Sequence, residues 1–165
     1  MNAGLTFRFA VAADFAAVLD LACQLASQIE AEAPHLTPAQ FEQYFTRPHA
    51  PMRLLLALRE GRILGMISWT ITHELYSAET RVYISDVSVD RSFRGQGIGT
   101  ALMAEVECWA RAHNASKLGW EVWYRNFNAK AFYDRLGASV DSEAIPYVLA
   151  LGDRLSASRL DGTDE

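Results

Sequence analysis

Apolar positions along this chain change period several times, and each change marks an element. FRFAV (7–11) alternates, as a half-buried strand does, whereas Phe15, Val18, Leu19, Leu21, Ala22 and Leu25 recur at helical spacing between Asp14 and about Ala31. TPAQFEQYF announces a second helix: Thr37 stands as N-cap, Pro38 at the first helical position, and Gln40 closes a capping box. Two apolar runs follow in MRLLLALREGRILGMISWTIT, joined by Glu60-Gly61, whose turn chemistry predicts a hairpin. RVYISDVSVD (81–90), rich in β-branched residues, reads as a central strand. After a glycine-rich stretch the helical period returns to about His113, with Ile98, Leu102, Val106 and Trp109 on one stripe. KLGWEVW (117–123) then reads as a strand, NAKAFYDRLG (128–137) as a helix ended by Gly137, and PYVLAL (146–151) as a last strand. With a short strand near 138–141, the order βααβββαβαβ is mixed α/β, with strand–helix–strand units in the second half. One domain over 1–153 and a frayed polar tail over 154–165 are expected.

Composition narrows the class. A chain of 165 residues, half of them apolar, can bury a core without staples. Its formal net charge of −5, with no basic run, argues against a nucleic-acid partner and leaves room for a cationic one. Cys23 and Cys108 form no CxxC, which favours a reducing compartment. MNAGLTFRF lacks a basic region followed by an apolar run, and no stretch approaches 18 apolar residues, so neither a signal peptide nor a membrane span is expected and the cytoplasm is the expected location. His35, His49, His73 and His113 show no metal-ligand spacing, and no metal is expected.

The chemistry concentrates in FRGQGIGTAL (93–102). Glycine within a helix costs up to ~1 kcal/mol relative to alanine, yet Gly95, Gly97 and Gly99 stand where a strand passes into one. Bare backbone before a helix N-terminus suits a phosphate, because outward amides and the helix dipole attract an anion. The dinucleotide fingerprint GxGxxG fails, since Thr100 and Leu102 stand where a third glycine is required; the Walker pattern fails for want of Gly-Lys-Ser/Thr. What remains is Arg94-x-x-Gly97-x-Gly99 after Val87-Ser88-Val89. The alternative is a glycine turn that merely packs a helix tightly on the sheet. Downstream, NFNAKAFYDRLGA supplies Asn126, Ala129, Tyr133, Leu136 and Gly137.

These two segments, in this order and separation, resemble the GNAT superfamily of N-acetyltransferases, whose acetyl-CoA motif is Arg/Gln-x-x-Gly-x-Gly/Ala followed by Asn-x-x-Ala-x-x-x-Tyr and Leu-Gly. VYISDVSVDRSFRGQGIGTALM, the region from Trp120 through NFNAKAFYDRLGAS, and RFAVAADFAAVLDLACQLA look like its diamine and thialysine acetyltransferase branch. The resemblance covers nearly all of 7–153 and is most specific in 83–103 and 120–138. It implies a single-domain α/β fold in which a mixed sheet of about six to seven strands is flanked by about four helices. Strands 81–90 and 117–123 would splay at the acetyl-CoA site.

It further implies that acetyl-CoA is the co-substrate. The diphosphate would lie on the amides of Arg94, Gly95, Gln96, Gly97, Ile98, Gly99 and Thr100. The backbone of Val87, Ser88 and Val89 would meet the pantetheine, with Asn126, Asn128 and Ala129 on its other side. Tyr133 would lie near the sulfur as general acid, although its position alone suits a core aromatic. The branch's acidic Glu-Asp pair reads Ser85-Asp86 here, a departure that bears on diamine specificity. Asp86 and Glu121 are candidates for binding a cationic amine or relaying its proton; the alternatives are an aspartate that fixes a strand bulge and a surface glutamate. Glu30, with Glu32, matches an acidic position of the branch, or else is a solvated helix face. Tyr147 matches an aromatic near the acceptor. Trp69 and Trp123 read as core, Cys108 as lying near its helix's core stripe, and neither cysteine as a nucleophile. The implied reaction is direct transfer from acetyl-CoA to a small primary amine in a homodimer. Protein lysine or N-terminal acetylation, and non-catalytic acyl-CoA sensing, are the alternatives.

Overall fold

The computed structural model describes residues 4–142 and 146–149. One sheet holds β1 (Thr6–Phe9), β2 (Arg53–Arg59), β3 (Arg62–His73), β4 (Thr80–Val89) and β5 (Ala115–Gly119) in chain order. The first three junctions are antiparallel, and β4 meets β5 in parallel through a helical crossover. The α-helices are α1 (Phe15–Gln28), α2 (Pro38–Phe41), α3 (Ile98–Ala112) and α4 (Phe127–Arg135) among the described residues.

Two cores follow from β2 and β3 being covered on both faces. Leu54, Leu56, Leu58 and Met66 pack with Val18, Leu21 and Phe41 on the α1 side. Leu55, Ala57, Ile67 and Trp69 pack with Ile98, Leu102 and Val106 on the α3 side. Burial on both faces accounts for the unbroken apolar run in LLLAL. The hairpin turn forms as its residues predict: Glu60 and Gly61 both adopt positive φ, 52° and 79°, matching the right-handed twist of the strands it joins. The Thr37 box also forms, with Gln40 N donating to Thr37 Oγ1 at 3.3 Å and Thr37 N to Gln40 Oε1 at 3.0 Å. That helix keeps α geometry only to Phe41 and widens into a π turn over Glu42–Thr46.

The expected six to seven strands are corrected to five among the described residues. Residues 138–142 and 146–149 hold no strand, and the remainder of 146–151 lies outside the described residues. Alternating apolarity makes a strand only where a neighbouring edge satisfies its N–H and C=O groups, and Tyr147, Val148 and Leu149 stand exposed. β5 also ends at Gly119, short of the expected Trp123.

One ion pair pins the first turn to the sheet. Buried Asp14 accepts from Arg8 Nη1 and Nη2 at 2.6 and 2.8 Å and from Val11 N at 2.8 Å. Hydrogen bonding from Arg8 holds its carboxyl below the ordinary aspartate range. The folded value lies under the unfolded one, so this stabilisation is complete above about pH 4 and fades as pH falls through the folded value. Asp14→Ala is expected to cost ~2 kcal/mol near neutrality and much less in strong acid. Denaturant titrations showing an equal cost at both pH values would refute the linkage.

Candidate active site

β4 runs into the glycine turn through a braced junction. Asp90 accepts from Ser92 N at 2.9 Å, capping a 3-10 turn over Arg91–Phe93, and holds Arg62 at 3.0 Å. The Arg62 guanidinium lies 4.7 Å over the Phe93 ring. Arg94 Nε donates to Val89 O at 3.0 Å, tying the turn to the strand end, and burial pushes its pKa down. Gly95 and Gly97 then adopt φ of 74° and 79°, which side chains resist. Gly97 is the N-cap of α3. Among the described residues, the amides from Gly95 to Thr100 have no hydrogen-bond partner. Gly99 differs: its backbone is helical, and a Cβ there would sit 3.4 Å from Phe132 Cζ, an ordinary van der Waals contact. Gly95 and Gly97 therefore shape an open cradle of amides suited to a phosphate, whereas neither backbone strain nor space demands a glycine at 99.

Beside the cradle the sheet opens. β4 and β5 pair only from Thr80–Ala115 to Tyr83–Gly119, so among the described residues Ile84 to Val89 have no strand on that side. Val87 and Val89 face the α3 core, whereas the Ser88 hydroxyl is buried against α1, donating to Leu21 O at 2.9 Å. Only the backbone of Ser88 is left for a ligand. Asn126 caps α4, its Oδ1 accepting from Ala129 N at 3.1 Å; Asn128 is exposed on the first turn. Tyr133 projects from α4 against Trp120, ring centroids 4.8 Å apart, and against Phe132. Its hydroxyl has no partner among the described residues, and burial raises its pKa, keeping the phenol protonated.

A bulge assembles the acidic cluster. Ser68 pairs with Asp86 but Trp69 with Ile84, so Ser85 is the extra residue of β4. The shift puts Tyr83 and Asp86 on one face. Asp86 Oδ2 accepts from the buried Ser68 hydroxyl at 2.8 Å, so the bulge-fixing alternative is realised at least for one oxygen. Tyr83, which belongs to no motif, is partly exposed on that face; burial, then the Glu121 charge and hydrogen bonding, then Asp86, raise its pKa. Glu121 is exposed beyond the end of β5, as the surface-glutamate alternative has it, and bears on the Tyr83 phenol together with Asp86. The parity break between Val82/Ile84 and Val87/Val89 is the signal that could have found Tyr83.

Other candidates are not brought to this cluster. Glu30 ends α1 at φ 56°, with Ala31 N donating to Ala26 O at 3.0 Å, a left-handed helix stop. The last turns of α1 pack by Arg91, with Gln24 and Ser27 as partners, which sets Glu30 beyond Ser88 and away from Asp86. Glu32 is exposed, 3.9 Å from His35. Tyr147 is 93% exposed and lines no wall. Ser85 is exposed at the bulge. Trp69 fills the core, but Trp123 is only half-buried, and Cys108 is exposed rather than near the core stripe. Among the described residues no three His, Cys, Asp or Glu side chains could hold a metal ion, and no helix is long and apolar enough to cross a membrane.

A five-stranded mixed sheet that opens beside an amide-lined turn at the head of a helix has the architecture of the acetyl-CoA-dependent N-acetyltransferases. The family model "Acetyltransferase (GNAT) family" matches residues 16–138, and the chain belongs to that family, whose enzymes take acetyl-CoA as co-substrate. The N-acetylaspartate synthetases of Rattus norvegicus and Homo sapiens are each 29% identical over 128 residues, covering 74% of this chain and 41% of the relative. The chain thus spans less than half the length of these curated relatives. Among solved structures, a mutant of the BH1408 protein from Bacillus halodurans superposes with a TM-score of 0.76 at 23% identity, covering 88% of this chain and 99% of that one. An aminoglycoside acetyltransferase from an uncultured soil metagenomic sample gives 0.75 at 17% identity, over 92% and 99%. These likenesses show the fold.

Proposed function

We propose that this chain transfers the acetyl group of acetyl-CoA to the primary amine of a small cationic molecule, by direct attack in a ternary complex. The observation that carries this reading is the run of unpartnered amides from Gly95 to Thr100 at the mouth of the β4–β5 opening, among the described residues. With Arg94, they hold the coenzyme's diphosphate. The free edge of β4 at Val87 to Val89 takes the pantetheine amides as an added strand would, and the start of α4, Asn126 to Ala129, closes the other side. The amine nitrogen attacks the thioester carbonyl carbon, the C–S bond breaks, Tyr133 donates its proton to the departing thiolate, and the proton that the nitrogen sheds on becoming an amide passes through water to restore the Tyr133 phenol. The ammonium proton leaves beforehand through water toward Asp86 and Glu121. Aligning two bound reactants contributes up to ~7–11 kcal/mol of barrier reduction. No cysteine accompanies the motif to carry the acetyl group, which favours direct transfer.

Two carboxylates on one phenol favour a cationic acceptor and disfavour an acidic one such as the aspartate named in the curated relatives. The acceptor class is therefore polyamines or amino-acid-like amines of the diamine and thialysine kind, with Ser85 in place of that branch's glutamate. The same reading takes residues 1–153 as the catalytic domain of a cytoplasmic homodimer. Thiol release from acetyl-CoA against polyamines, amino acids and peptides tests it. Release with small cationic amines is expected; release only with peptides would indicate a protein acetyltransferase, and coenzyme binding without release would indicate a sensor.

Glu121→Gln is expected to raise the KM of a cationic acceptor by roughly three- to fivefold, the scale of an exposed charge pair, with the KM of acetyl-CoA unchanged. An unaltered acceptor KM would remove Glu121 from this role.

A further inference from the structure

We propose that Arg59, outside the glycine-turn motif, binds the terminal 3′-monophosphate of the coenzyme; the inference rests on the acetyl-CoA reading above. Arg59 ends β2, where its Nη1 donates to Gln96 Oε1 at 3.1 Å, bridging two segments 37 residues apart in the chain. That is its single hydrogen bond among the described residues, out of five N–H donors, and its Nε is buried without a partner. Among the same residues, no carboxylate lies within ion-pair distance of it.

The surroundings are unbalanced in the same sense. Among the described arginines around the turn, Arg62 alone has a carboxylate within ion-pair distance, Asp90 at 3.0 Å. Arg91 bonds Ser27 Oγ at 2.9 Å, and Arg94 bonds a backbone carbonyl. Arg59, Arg91 and Arg94 are thus three cations whose hydrogen-bond partners are neutral, on a chain whose net charge is −5. Arg91 repels the charged Arg94 guanidinium, which Asp90 attracts less strongly. An anion relieves all of this. The diphosphate is already matched by six amides and Arg94, whereas Arg59 reaches the turn from the hairpin side, away from the β4–β5 opening where the thioester lies. It is therefore placed for a phosphate on the far side of the diphosphate from the thioester. Gln96 holds the guanidinium at the rim through a neutral contact that a doubly charged phosphate, accepting two parallel N–H bonds, displaces.

Calorimetry with acetyl-CoA and its 3′-dephospho form, on the wild type, Arg59→Met and Arg59→Lys, tests this. The wild type is expected to prefer acetyl-CoA by about tenfold or more, the scale of a charge-assisted hydrogen bond. Arg59→Met should bind both forms alike, at the wild-type affinity for the dephospho form, and Arg59→Lys should keep part of the preference. A wild type without preference, or an Arg59→Met variant that weakens both forms equally, would overturn the proposal. If Arg59→Met fails to melt cooperatively, Arg59→Lys carries the test, and an unchanged preference in it overturns the idea. A wild type that binds neither form defeats the coenzyme reading itself.

Discussion

Tyr133→Phe is expected to lower kcat by ~10²–10⁴-fold, the usual contribution of a positioned proton donor, with little change in melting temperature. The two halves of that expectation come from one observation. The Tyr133 ring packs on Trp120 and Phe132, and phenylalanine keeps those contacts; the hydroxyl has no partner among the described residues, so its removal breaks no hydrogen bond within them. A purely structural tyrosine would leave both stability and kcat intact. Burial raises the phenol's pKa above its ordinary value near 10. The acid form must be protonated to act, and it stays so across the neutral and mildly alkaline range. The wild-type rate should therefore show no falling limb from this group until pH exceeds about 10. Full turnover in the phenylalanine variant would strip Tyr133 of its acid role, whatever the coenzyme affinity.

Most of the scaffold could be read from local signals. Leu54 to Leu58, the Glu60-Gly61 turn and the Thr37 box each state their conformation within a few residues, because burial, positive φ and capping are local demands. The cradle was legible for the same reason: glycine is tolerated in a strand-to-helix passage only where the backbone must turn or be approached. What the residues could not separate was which glycine does which. Gly97 and Gly99 look alike in the chain, and only the backbone separates them: left-handed at Gly97, helical at Gly99 with room for a Cβ beside Phe132. The strands expected near 138–141 and, over its described residues, 146–149 are absent for a different reason. Strand formation depends on an edge supplied from elsewhere, which periodicity does not report.

The acceptor cluster was half legible. Asp86 and Glu121 stand out in the chain as charges within apolar stretches, a burial argument that holds for partly buried Asp86 and not for exposed Glu121. Their convergence on Tyr83 depends on the Ser85 bulge, which changes which side chains share a face. Without it, Tyr83 and Asp86 would point to opposite sides of the sheet. Arg59 was invisible because its partner, Gln96, is distant in the chain, and a terminal arginine on a hairpin strand is ordinarily a solvated end.

Gly97→Val is expected to weaken acetyl-CoA binding by at least ~10–100-fold, whereas Gly99→Ala should leave it near the wild-type value. Gly97 sits at φ 79° and ψ 4° as the N-cap of α3, a conformation that costs an ordinary residue ~1–2 kcal/mol and a β-branched one more. The turn can relax only by rotating its peptide planes, and those planes carry the amides that converge on the ligand. Losing one or two charge-assisted bonds at ~1.5–3 kcal/mol each gives the stated loss. At Gly99 the backbone is helical and a Cβ meets the Phe132 ring edge at 3.4 Å, a contact that a small ring shift accommodates. Alanine also favours the helix there by up to ~1 kcal/mol. Calorimetric titration of both variants, with thermal melts to separate folding from binding, discriminates the roles. Wild-type affinity in Gly97→Val would show that the amide cradle does not hold the coenzyme. Equal losses in both variants, tracking lowered melting temperatures, would mean that the glycines serve only to pack α3 against the sheet and α4.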